Sequence, residues 1–249
     1  MTIGIVAAMS MEARPLLKLV GRHRAGRLGR LRTWSFDAGL HRCVLVRSGM
    51  GLEPARRAAR ALMEFVRPQL LVSFGIAGAL GPGLAVGDVV AGEGCRMWEN
   101  GKLGPSCQLA PLSEAIHAAA SRAAGARGAR YFRGTIVTVR GIHPVPIAPE
   151  GATVVEMETA GIAREAAERG IPLVSFRAVG DSPLEPIPFE MDAGDEFHIR
   201  PIVLLGAILR DPRIIRPLLR LGRNSARAAR HLAETVKAVI GLPELQAPS

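Results

Sequence analysis

Val154-Val155-Glu156-Met157-Glu158-Thr159 and Arg177-Ala178-Val179-Gly180-Asp181-Ser182 decide how this chain is read. Each stretch puts carboxylates at the end of an apolar run of strand length, and the segment 159–169 between them reads as a helix. An ionised carboxylate at the end of a buried strand is costly to desolvate without a partner. In an α/β protein that arrangement points to a ligand held beyond the carboxyl ends of the strands.

Outward from this pair, strand and helix patterns alternate. Residues 2–8 form an apolar run of strand length, followed by a helical stretch from Glu12 to Val20. Residues 21–40 are basic and glycine-rich, with Trp34 and Phe36 alternating with polar neighbours, as in outer strands or a hairpin. A strand over 43–46 ends in Arg47-Ser48-Gly49-Met50-Gly51, and a helix over 54–66 presents Ala55, Ala58, Ala59, Leu62 and Met63 to the sheet. The buried strand 70–74 runs into the glycine-rich segment 75–83, and Asp88-Val89-Val90 opens another strand. Residues 92–110 read as irregular, 112–124 as helix and 135–139 as strand. Pro144, Pro146 and Pro149 rule out regular helix in the next loop, and 171–179 is the strand that leads to Asp181. The alternation predicts an α/β fold, a three-layer α/β/α arrangement with a mixed central sheet.

With 249 residues, 48% of them apolar, the chain has ample material for one sizeable core. Its net charge of +10 is uneven: residues 200–249 hold nine Arg or Lys against three acids. No aromatic platform or nucleic-acid module accompanies that charge, so nucleic acid is not an expected partner. Cys43, Cys95 and Cys107 have neither ligand spacing nor the density of a disulfide framework, which suits a reducing cytoplasm. His41, His117, His143 and His198 lack zinc-site spacing. The 75–83 segment matches neither a P-loop nor a dinucleotide fingerprint. No secretory pattern opens the chain, and no apolar run reaches the roughly 18 residues of a membrane span. The expectation is a cytoplasmic protein with no metal or organic cofactor.

Ile3-Gly4-Ile5-Val6-Ala7-Ala8-Met9 with Glu12, Ser48-Gly49-Met50-Gly51, Phe74-Gly75-Ile76-Ala77-Gly78, Val86-Gly87-Asp88, Val155-Glu156-Met157-Glu158 and Arg177-Ala178-Val179-Gly180-Asp181 follow one another in a telling order. Together they resemble the methylthioadenosine/S-adenosylhomocysteine nucleosidases of the purine nucleoside phosphorylase and uridine phosphorylase superfamily. The resemblance covers roughly residues 3–190. It implies a nucleoside phosphorylase-like fold, cleavage of an N-glycosidic bond, a small-molecule nucleoside as ligand and a homo-oligomer.

Residue by residue, the resemblance implies that Asp181 delivers a proton to the departing base and that Glu12 activates the attacking water. Glu158 would grip the ribose hydroxyls, with Met157, Glu156, Ile76 and Arg177 as further substrate-side residues. Arg47, Gly49 and Gly51 could instead hold an anion. That leaves open a phosphorylase with phosphate as co-substrate. A non-catalytic nucleoside-binding module also stays open, because Ile76 and Gly180 stand where the nucleosidases commonly carry serines.

Residues 1–199 would form the catalytic region and 200–249 a basic, amphipathic helical extension packed on the same domain. Within it, Arg213, Arg216, Arg220 and Arg223 interleave with Ile214, Ile215, Leu218 and Leu219, and 224–240 is a further candidate helix. Such faces suit packing on the domain or contact with an anionic membrane or lipid substrate. The run at 223–230 resembles the hopanoid-associated branch of the superfamily, which implies adenosylhopane as a substrate.

Overall fold

The structure, a computed structural model, describes residues 1–81, 83–141, 145–146, 151–181 and 215–245. Pro144, Pro149, His143, Ser182, His198, Arg213, Ile214 and the apolar segment 202–209 lie outside the described residues, as do the side chains of Ile215 and Leu218. The elements are β1 (Thr2–Ala7), α1 (Ser10–Val20), β2 (Arg24–Leu28), β3 (Leu31–Ala38), β4 (His41–Arg47), α2 (Leu52–Phe65), β5 (Leu70–Ala79), β6 (Val89–Glu99), β7 (Lys102–Cys107), α3 (Glu114–Gly125), β8 (Tyr131–Thr138), β9 (Ala152–Glu156), α4 (Thr159–Glu168), β10 (Leu173–Asp181) and α5 (Ile215–Ile240).

Helices cover both faces of a ten-stranded mixed sheet, giving the expected three layers. Along β10, Val174, Phe176 and Ala178 enter one core with Leu16 of α1, Ala120 of α3 and Leu232 of α5. Leu173 and Val179 enter the other, with Ala58 and Leu62 of α2 and Ile162 of α4. Successive side chains of a strand point to opposite faces, and both faces are buried here, so the strands read as mostly apolar runs rather than as alternating ones. Full burial of side chains such as Phe74 and Phe176 contributes roughly 1.5–3 kcal/mol each.

Strand order is β10-β6-β8-β9-β5-β1-β4-β3-β2, with β7 on β6. Because β10 also pairs with β5, five strands close on themselves. The hub is β5. β10 occupies one edge from Leu71 to Gly78. The other edge is shared: β1 pairs with it from Leu70 to Ser73, and β9 antiparallel at Gly78 and Ala79. Phe74–Ala77 is therefore a window in that edge, where neither neighbour supplies hydrogen bonds.

Residues 92–110 are not irregular. They form the β6–β7 hairpin, in which Glu99 pairs with Lys102 across Asn100-Gly101. Both turn residues have positive φ (52° and 75°), the backbone a tight primed turn requires. Glycine and proline in this stretch lower strand propensity, but the Asn-Gly pair was a readable hairpin signal.

The C-terminal region is one helix, α5, rather than a pair within the described residues. Ala228, Leu232, Ala233, Val236, Val239 and Ile240 are buried in the same core as β1, β5 and β10. Arg216, Arg220, Arg223, Arg227 and Arg230 are exposed. His231 binds the Gly87 carbonyl through Nδ1 at 2.9 Å, and His41 binds the Leu242 carbonyl through Nε2 at 2.9 Å, which ties the C-terminal half of this helix to the turn before β6 and to β4. Among the described residues no helix is long and apolar enough to cross a membrane.

Candidate active site

The window in β5 collects the acids. An amide facing an unpaired stretch of strand must find another acceptor. The Ile76 N–H donates to Glu12 Oε1 at 3.0 Å, and the other oxygen of Glu12 accepts from the Met9 N–H at 2.7 Å. Glu12 stands in the first turn of α1, immediately beyond the end of β1, so the helix start delivers it to the gap. Gly75 makes the room: a Cβ there would lie 2.9 Å from Glu12 Oε1. Glu12 is 2% exposed, and burial pushes its carboxyl up from the usual range despite these two amides and the charge of Arg177.

From the opposite side β9 runs antiparallel to β5, so the residues following Val155 return along the window. Glu158 lies at the start of α4 and accepts from the Gly51 N–H at 2.9 Å. Burial, reinforced by the neighbouring Glu156 carboxylate, pushes Glu158 up to about 8. It therefore keeps its proton near neutral pH and offers both a donor and an acceptor. On the third side β10 ends at Asp181, whose Oδ2 would sit 3.0 Å from a Cβ at Gly78. Burial pushes Asp181 up to about 6.

Glu156 and Arg177, expected on the substrate side, are corrected to a layer beneath it. Glu156 Oε2 accepts from Arg177 Nη2 at 2.7 Å, and both side chains are essentially unexposed. Arg177 also donates to Ser73 Oγ at 2.8 Å and Thr159 Oγ1 at 2.7 Å. Glu156 accepts from the Thr138 hydroxyl at 2.5 Å and from the amides of Glu158 and Thr159, which caps α4. Burial opposes ionisation of Glu156, but Arg177 and Thr138 outweigh it and hold the carboxyl below the usual range. Three carboxyls thus share the influence of one guanidinium. Glu156 takes it, and Glu12 and Glu158 are left with raised pKa values.

Met157 lies between the two acids but packs with Val137 and Val139 in a small apolar cluster, 9% exposed. Ile76 lines the window with its main chain and packs its half-buried side chain on the core. The loop after β4 is also corrected. Its amides do not form a free anion cradle, because Gly49 N–H donates to the Ala8 carbonyl and Gly51 N–H to Glu158. Arg47 donates to Ser10 Oγ at 2.7 Å and anchors the start of α1.

Asp181, Glu158 and Glu12 therefore surround one window, and the Ile76 amide within it holds Glu12. The role of Gly51 as the donor that holds Glu158 escaped sequence reading, since a backbone amide leaves no mark on residue type. Chemically the window offers a carboxyl that is partly protonated near pH 6, a protonated carboxyl near neutral pH, and an acid anchored by two amides.

A family model described as Phosphorylase superfamily matches residues 2–200. Solved structures with the same fold include the 5′-methylthioadenosine/S-adenosylhomocysteine nucleosidase from Neisseria meningitidis in complex with methylthio-immucillin-A. It is 24% identical, with 96% of this chain and 98% of that chain covered and a TM-score of 0.70. The S-adenosylhomocysteine nucleosidase from Streptococcus pyogenes, in complex with 5-methylthiotubericidin, is 20% identical over 97% and 96% of the two chains, TM-score 0.72. Futalosine hydrolase of Helicobacter pylori is 17% identical over 96% and 97%, TM-score 0.70.

Proposed function

The chain belongs to the phosphorylase superfamily, and from that premise we propose that it hydrolyses the N-glycosidic bond of an adenosine-type, 5′-substituted nucleoside. The observation that carries this reading is the placement of Glu12, Glu158 and Asp181 around the unpaired window of β5, while the neighbouring loop amides are already spent.

As the bond to the base breaks, negative charge collects on the base and positive charge on the sugar. Asp181, protonated, gives its proton to a ring nitrogen of the departing base. Glu158 holds the sugar hydroxyls. Glu12 takes a proton from the water that attacks the anomeric carbon. Burial makes Glu12 and Glu158 resist ionisation, and a cation developing between them favours their charged forms. The carboxylates consequently bind the transition state better than the resting nucleoside. No step in this scheme calls on a metal or an organic cofactor.

The test is adenine release from adenosine-type substrates with and without phosphate, with the sugar product identified by chromatography. The expected result is free sugar at a rate indifferent to phosphate. Sugar 1-phosphate formed only with phosphate would replace the reading by phosphorolysis. Binding without release would replace it by a nucleoside-binding module.

Opposite protonation demands predict a bell-shaped pH profile of kcat/KM. Asp181 works protonated, so its limb falls as pH rises through about 6. Glu12 works ionised, so the acid limb belongs to it and lies above the ordinary carboxylate range. Glu12→Gln is expected to lower kcat by about 10²–10⁴-fold, and steady-state assays across pH 4–9 check both statements.

A bulky apolar 5′ substituent, such as the hopane of adenosylhopane, is the finer reading. The exposed arginines of α5 support it, because such a row suits a protein that meets its substrate at an anionic lipid surface from the cytoplasmic side. Turnover of adenosylhopane against methylthioadenosine tests it. A homodimer fits the same reading and is checked by light scattering.

A further inference from the structure

Ile76 connects two of the acids. Its N–H donates to Glu12 at 3.0 Å, on one side of β5. Its side chain reaches the other way, towards β10, and its Cγ2 fills the space that a Cβ on Gly180 would need. Gly180 immediately precedes Asp181 and is itself buried, with Ser225 of α5 on its far side at 3.6 Å from the same Cβ position. The pairing is one of size: a branched side chain at 76 sits where position 180 has none. Among the described residues no side-chain donor reaches Asp181, which is partly exposed.

We propose that Ile76 is the positioning residue of this site: its main chain sets Glu12, and its side chain, seated over Gly180, excludes water from Asp181 and fixes the β10 end in register with β5. Water exclusion favours the protonated carboxyl, where a hydroxyl donor would favour the ionised one, and it presents the leaving base with an apolar wall beside its proton donor. The kinetic arm of this proposal rests on the nucleosidase reading. The structural arm does not.

The charged groups on the elements around Asp181 are Glu12 of α1, Glu156 and Glu158 at the end of β9, Asp88 and Arg130 at the mouths of β6 and β8, Arg177 of β10, and Arg227 of α5 beside Gly87. Burial, not any of these charges, accounts for the raised Asp181.

The experiment compares wild type with Ile76→Ala, Gly180→Ala and the double variant. It reads thermal melting and the titration of the Asp181 carboxyl by carbon NMR, assigned against Asp181→Asn. Gly180→Ala alone is expected to lower Tm by several degrees, and adding Ile76→Ala is expected to restore part of it. Ile76→Ala is expected to admit water and bring the Asp181 midpoint down by about one pH unit towards the ordinary aspartate range. The alkaline limb of kcat/KM should follow that midpoint. Additive Tm losses, or an Asp181 midpoint unmoved by Ile76→Ala, would overturn the proposal. Coupled melting and a moved midpoint in a protein that releases no base would leave it standing and remove the nucleosidase reading instead.

Discussion

Asp181→Asn is expected to lower kcat for base release by about 10²–10⁴-fold, with the fold intact. Asparagine keeps the volume beside Gly78 but has no proton to transfer at the pH where the carboxyl works. The same change has a signed effect on stability. The folded-state pKa of Asp181 is raised, from the usual 3.8 to about 6. Its contribution is fully present below the unfolded value and is lost as pH rises through about 6. Above that pH the folded protein carries a carboxylate it has partly desolvated, and asparagine removes the penalty. Melts at pH 5 and pH 7.5 are expected to show the variant at least as stable as wild type at pH 7.5, with the difference smaller at pH 5. Unimpaired turnover would remove Asp181 from the mechanism. Destabilisation at pH 7.5 would contradict the account of its burial.

Arg177→Met is expected to produce the largest loss of stability. The guanidinium is 1% exposed, and Glu156 beneath it has no exposed side-chain surface. Removing one partner of a buried pair leaves an uncompensated charge and costs about 3–5 kcal/mol. For a domain of this size that is a fall in Tm on the order of 10 °C. The native pair holds Glu156 below its ordinary pKa, so its contribution is present above the unfolded value and disappears as pH falls through the folded one. In the variant the burial of Glu156 is unopposed by Arg177, so the gap between wild type and variant should narrow on acidification. Combining Arg177→Met with Glu156→Gln should recover part of the loss, because no buried charge then remains. Glu12 and Glu158 both feel Arg177, so the acid limb of activity should also move to higher pH in the single variant.

Much of this was legible in the chain, for specific reasons. Val174–Val179 and Leu70–Phe74 are strands buried on both faces, and a mostly apolar run, broken here only by Ser73, Ser175 and Arg177, is the mark of that environment. α2 and α4 announce themselves by small apolar residues at helical spacing. The acidic clusters were visible because burial makes carboxylates expensive and therefore noticeable. The β6–β7 hairpin was obscured by its glycines and Pro105, whose weak strand propensity was overridden in β6 by pairing with β8 and β10 and in β7 by pairing with β6.

Sequence alone determined the alternation of strands and helices, the acids at strand ends and the ordered motifs of the superfamily, because these depend on residue type and spacing. Tertiary structure decided which acid does what. Glu156 and Glu158 are two residues apart, yet one is locked under Arg177 and the other turns to the window, a division set by the register of β9 against β5 and β8. It likewise decided that the Gly49 and Gly51 amides are spent, and that Ile76 fills the space left by Gly180. Hydrogen-bond partners and excluded volume belong to pairs of residues far apart in the chain, and only the closing of the sheet around β5 brings those pairs together.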